Sequence, residues 1–140
     1  MSRKSAGIAK IISELQGKSH SAYYLGYFEC FNQELYFEAH DVLEELWLED
    51  KSSPDYSFHK GLIQLAGAFV HLQKNRLRPA SALFRLTRDN LRKYPAEHAD
   101  LDVKGVLDLI ERWLTLLEKG ELKVNPFQTG KGPKLHLQTF

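Results

Sequence analysis

Apolar residues recur at helical spacing through almost the whole chain, and that single pattern decides the fold class. The clearest case is Val103, Val106, Leu107, Ile110, Leu114 and Leu117, one stripe spaced as a helix repeats its faces. Asp108 and Arg112 lie one turn apart outside that stripe, and Gly120 closes it. Ile8, Ile11, Ile12 and Leu15 form a shorter stripe of the same kind that ends at Gly17. No Asn-Gly or Asp-Gly turn separates alternating apolar runs, so hairpins have no signal. The expectation is an all-α protein, a single compact bundle of about five helices with an irregular C-terminal tail. Residues 1–20 read as an N-terminal amphipathic helix, 21–119 as the bundle, and 120–140 as the tail, where Pro126, Gly130, Gly132 and Pro133 break any pattern.

Within the bundle, residues 21–31 carry a dense aromatic set, Tyr23, Tyr24, Tyr27, Phe28 and Phe31, with Asn32 placed to cap the helix end. A second element runs from Leu35 to Glu49, and the polar stretch from Lys51 to Asp55 ends it. Tyr56 to Lys74 is apolar around most of its circumference, which marks it as the central helix. Pro79 opens the next helix, which reaches Lys93 before Tyr94 and Pro95.

A chain of 140 residues buries roughly two thirds of its unfolded surface, enough for a core without disulfides or metals. Its one cysteine, Cys30, excludes an intramolecular disulfide and sits between Phe28 and Phe31 as a small buried hydrophobe would. Nineteen basic residues balance 18 acidic ones, so no overall field favours nucleic acid. Arg78, Arg85, Arg88 and Arg92 share one helix face, read as solvated, with Asp89 in reach of Arg85. The run from Leu62 to Leu72 is too short to span a membrane, and Lys10 and Glu14 interrupt any signal-peptide core, so a cytoplasmic protein with no membrane partner is expected. No cofactor is expected. His20, His59, His98 and His136 are scattered in sequence and suggest no site.

The constellation that stands out lies between Leu35 and Glu49. Glu38, Asp41, Glu45 and Glu49 form an acidic stripe expected to face water. His40 and Glu44, one turn apart, fall in the opposite arc with Tyr36, Phe37, Leu43 and Trp47. Buried ionisable groups need partners, and Gln64 and His71 of the central helix are two turns apart on one stripe beside the small residues Gly61, Gly67 and Ala68. The candidate site is therefore His40, Glu44, Trp47, Gln64 and His71, with His40 and Glu44 buried and hydrogen-bonded. It reads either as a structural network or as a ligand pocket. A metal-dependent hydrolase with Glu44 as base and His40 and His71 as ligands or acid-base partners is the alternative. His-x-x-x-Glu supplies only two ligands and the Glu-x-x-His pairs of ferritin-like bundles are absent, so no metal is expected.

The ordered pieces Phe31-Asn32, Glu38-Ala39-His40, Leu43-Glu44 with Trp47, and Gly61-Leu62-Ile63-Gln64 resemble the signature of domain-of-unknown-function family 309. The resemblance spans Leu25 to Leu91. It implies a small bacterial or archaeal helical bundle without an established activity, whose motif positions are here His40, Glu44, Trp47 and Gln64. Glu34 and Asp41 stand where the family has Gly and Glu, and Lys74-Asn75 and Pro79-Ala80 replace Gly-Asn and Gly-Ala. The function expected is a non-catalytic binding or interaction protein. The stripe of Ile8, Ile11, Ile12 and Leu15 is left to be covered within the chain, beside Leu135 and Leu137, or in a homodimer.

Overall fold

The computed structural model describes residues 9–10, 13–14 and 20–138. The stripe of Ile8, Ile11, Ile12 and Leu15 lies outside the described residues. Five helices follow: α1 (Ala22–Asn32), α2 (Tyr36–Glu49), α3 (Tyr56–Gln73), α4 (Leu77–Leu91) and α5 (Val103–Lys119). They pack as an all-α bundle. Among the described residues no helix is long and apolar enough to cross a membrane.

The centre of the bundle is α3, half of whose residues are buried. On one side Tyr27 of α1 donates its hydroxyl proton to the Leu62 carbonyl at 2.6 Å. On another, α4 comes close enough that a Cβ at Gly61 would stand 3.1 Å from Leu91, and one at Gly67 3.1 Å from Leu83. Phe69 joins the helices. Its ring meets those of Phe31 (5.6 Å), Tyr36 (5.0 Å), Phe84 (5.3 Å), Trp113 (5.1 Å) and Phe127 (6.2 Å), one from each other helix and one from the tail.

Three helix ends share one device. After α1, α3 and α5 the chain turns through a left-handed residue, Glu34 (φ 61°), Asn75 (φ 57°) and Glu121 (φ 55°). In each, the amide of that residue and the amide after it bond back into the last turn, as Glu34 N–H does to the Phe31 carbonyl and Leu35 N–H to the Cys30 carbonyl. The end of α1 is therefore made by Glu34, and Asn32 has another task. Its side chain accepts from Leu135 N–H and donates to the Leu135 carbonyl, both at 2.7 Å.

The start of α4 also differs from expectation. The helix begins at Leu77, so Pro79 sits within its first turn, where a missing N–H has no cost. Arg85 and Arg88 face α5 and meet Glu118 (3.5 Å) and Glu111 (3.0 Å) rather than Asp89. Between α4 and α5 the chain makes a two-stranded hairpin, Glu97–His98 with Leu101–Asp102. Its turn residues Ala99 and Asp100 both have positive φ, as a two-residue hairpin requires, but neither is glycine.

The tail returns along the α1–α2 turn. The Glu34 carboxylate accepts from Gly130 N–H (2.9 Å) and Gly132 N–H (2.8 Å), and Lys134 donates to the Asn32 carbonyl. A side chain at 132 would overlap the buried Tyr36 hydroxyl. The Gly130 bond, with Gly132 and Lys134 adding to it, holds the Glu34 carboxyl below its ordinary 4.5.

Two predictions follow from this packing. Phe69→Ala should cost about 3 to 5 kcal/mol in chemical denaturation, since its cavity opens where every helix meets; a loss under 1 kcal/mol would contradict the hub. A carboxyl with a depressed value stabilises above its unfolded pKa and stops doing so as pH falls through the folded one. The amides of residues 130–135 should therefore exchange several-fold faster in Glu34→Gln than in the wild type at pH 7, with the difference shrinking as acidification protonates the Glu34 carboxyl.

Candidate functional site

The buried face of α2 is set by Tyr36, Ala39, Val42 and Leu43. That arc is centred away from the one expected, and it leaves Phe37, His40 and Glu44 at its edge. Phe37 is 59% exposed, not part of the core. His40 and Glu44 are half-buried, not buried. They do not bond to each other either: His40 Nδ1 lies 3.3 Å from the Asp41 carboxylate, and Glu44 has no hydrogen-bond partner among the described residues. Asp41, expected in the solvated stripe, is itself half-buried. One ligand atom from each of His40, Asp41 and Glu44 lies within 4.8 Å of the others.

This edge of α2 walls a groove of about 250 Å³ that runs along the open face of α3. Phe37 and His40 form one wall, and Leu83 of α4 stands opposite. The floor is Ile63, Gln64, Gly67, Val70 and His71. Three of the candidate residues, His40, Gln64 and His71, thus meet around one opening. Glu44 lies one turn from His40 on α2, and Trp47 lies further along, its ring 5.1 Å from Tyr56 and its buried indole N–H without a partner among the described residues.

The polar groups of the groove are not equally engaged. Gln64 is committed, because its side-chain oxygen accepts from Asn90 of α4 at 2.8 Å. Asn90 was not legible from sequence, as nothing in α4 marks it as a partner 26 residues from Gln64. His71 is the opposite case: its Nδ1 is buried with no hydrogen-bond partner among the described residues. Burial, then the charges of Arg76 and Lys74, push its pKa below 6.5 and favour a neutral ring. A neutral imidazole offers one donor and one acceptor, so His71 brings to the floor of the groove a ring nitrogen whose bonding capacity is unused among the described residues, beside Ile63, Gly67 and Val70.

A second polar cluster contradicts the reading of His20, His59 and His98 as scattered. The fold gathers them around Tyr24 and Phe58 at the start of α3. His98 pairs with Asp55 and His20 with Asp100, each at 2.7 Å, and Tyr24 donates to the Ala99 carbonyl at 2.9 Å. These bonds hold the hairpin to the bundle. The His59 ring stands 6.1 Å from Tyr24 and 5.8 Å from Phe58. Burial, with a smaller contribution from His98 against the opposing Asp55, lowers its pKa. Cys30 is a buried hydrophobe as expected, its thiol pushed up to about 11 by burial.

His59 and His71 give the protein a signed pH dependence. Each is held neutral in the folded state, while the unfolded chain takes up protons below about 6.5, so their contribution to stability falls as pH drops from there toward the folded values. Urea denaturation at pH 7.5 and 5.5 should show a smaller loss on acidification in His59→Gln than in the wild type. Equal losses would contradict the assignment.

Residues 24–92 match the family described as Domain of unknown function (DUF309). An uncharacterized protein of Bacillus subtilis (strain 168), YpuF, is 35% identical over 71 residues, a stretch of 51% of this chain and 39% of the relative. The chain thus matches about two fifths of that relative's length. No solved structure matches the chain. The family match holds both walls and the floor of the groove, and leaves out α5 and the tail. The chain is therefore similar to the DUF309 family through residues 24–92, the stretch that runs from α1 to the end of α4.

Proposed function

We propose that the protein is a non-catalytic binding module whose binding surface is the groove between α2, α3 and α4. The observation that carries this reading is the buried Nδ1 of His71, without a partner among the described residues, in the largely apolar floor of the groove. A buried polar atom without a partner costs about 1 to 3 kcal/mol, and a ligand that supplies the missing bond recovers part of that cost. Ile63, Val70, Leu83 and the exposed ring of Phe37 supply apolar contact, and His40 stands at the rim. Such a surface suits an apolar group that carries one hydrogen-bonding atom. The test is titration with p-cresol and indole, followed through backbone amide shifts. Saturable shifts centred on Gly67, Val70 and His71, weakened at least fivefold in His71→Phe, are expected. Shifts spread over the surface, or unchanged affinity in the variant, would refute the reading.

A second reading rests on the grouping of His40, Asp41 and Glu44 within 4.8 Å. An imidazole and two carboxylates form a set that suits a divalent metal, which would activate water beside the groove for hydrolysis. In this arrangement Asp41 takes the place first given to His71. Zinc titration calorimetry on untagged protein separates the two: stoichiometric binding lost in His40→Ala supports a metal centre, and no binding refutes it.

A further inference from the structure

We infer that the groove receives the N-terminal amphipathic segment, residues 3–18, of a second copy of this chain, each copy offering its segment to the other's groove. The inference rests on the groove being a binding surface. It is carried by charge, length and reach.

Charge comes first. From Tyr36 to Glu49 α2 has five acidic residues, Glu38, Asp41, Glu44, Glu45 and Glu49, and no lysine or arginine. Asp41 and Glu44 lie on the groove edge of the helix between two exposed apolar side chains, Phe37 (59%) and Leu48 (52%). Among the described residues the only positively chargeable group that either one meets is His40. Residues 3–18 carry Arg3, Lys4, Lys10 and Lys18 against one acid, Glu14. Lys10 and Glu14 are helical and exposed, as the polar side of an amphipathic helix requires. An acidic helix along one wall of a largely apolar groove is complementary to a basic helix with an apolar stripe, while Lys74 and Arg76 make the His71 end the basic one.

Length agrees. The floor from Ile63 to His71 extends about 12 Å, and a helix with the spacing of Ile8 to Leu15 would span about 10 Å, at 1.5 Å per residue. Gly67 lies mid-floor, with no side chain of its own to fill the groove.

Reach decides which copy supplies the segment. His20 is tied to Asp100 and stands against Tyr24, whose ring neighbours Phe58. This is the side of α3 covered by α1, with Leu62 and Phe69 on the same face. At 100° per residue the groove floor lies roughly 160° round α3 from that face. Five residue steps from Leu15 to His20 extend at most about 17 Å. The route to the floor must go past a neighbouring helix, about 10 to 12 Å across, as well as most of the way round α3 itself. A segment from a second copy meets no such limit, and mutual exchange is a closed two-fold arrangement.

Sedimentation velocity of the full chain from 1 to 200 µM at low salt tests this. A reversible monomer–dimer equilibrium is expected, weakened at least tenfold by Ile11→Asp with Ile12→Asp, and weakened severalfold by Glu44→Lys. Adding Lys10→Glu to Glu44→Lys should restore part of the loss. A chain monomeric at every concentration, or a dimer indifferent to the Ile11 and Ile12 substitutions, overturns the inference. So does a monomer whose Gly67 and Val70 amides shift on those substitutions, because its own segment then fills the groove. The p-cresol titration separates the two levels: a monomer that still binds it at Gly67 and Val70 overturns the exchange alone, and one that does not overturns the groove reading too.

Discussion

The packing of Phe69 is the constraint from which the rest of the structure descends. Its ring is fully buried and touches an aromatic ring from α1, α2, α4, α5 and the tail, so no helix can shift without disturbing a common centre. Rings in edge-to-face contact add about 0.5 to 1.5 kcal/mol each beyond the area they bury. The hub draws α1, α2 and α4 onto three sides of α3. The fourth side has no helix of its own among the described residues, and the groove is that side.

How much of this was legible in the sequence depends on how local each feature is. The helical class, the α5 stripe and the central place of α3 follow from periodicity, because a helix apolar all round must be surrounded. The direction in which α2 faces does not. Its apolar residues include the exposed Phe37 and Leu48, so the pattern admits arcs that differ by one residue, or 100°, and the arc the fold uses leaves His40 and Glu44 at the rim. The cluster of His20, His59 and His98 had no signal at all, since its members are 39 and 78 residues from His20 and meet only when the hairpin folds back. The hairpin was hidden for a chemical reason: Ala99 and Asp100 occupy left-handed positions where Asn-Gly would have been readable.

Glu34 shows how a departure from a familiar motif can be informative. A glycine would enter the left-handed conformation after α1 without strain, whereas a glutamate there costs on the order of 1 kcal/mol. The carboxylate offsets this by binding two tail amides, which glycine could not do. The tail lies outside the stretch that matches the DUF309 family, and its anchors, Asn32 and Glu34, lie inside it. A position where the family has glycine is here the clasp that holds the tail.

The groove combines what the hub leaves open with what the helices cannot satisfy internally. Gln64 has Asn90, but His71 Nδ1 has no partner among the described residues, and that difference separates a packed polar residue from one with bonding capacity to spare. The most direct test is the ring-nitrogen NMR titration of His71 in the full chain, with and without p-cresol. The account predicts a free His71 that titrates below the ordinary histidine value and whose Nδ1 resonance moves when the groove is filled. A His71 that titrates as in an unfolded chain, with an Nδ1 resonance indifferent to p-cresol, would contradict it.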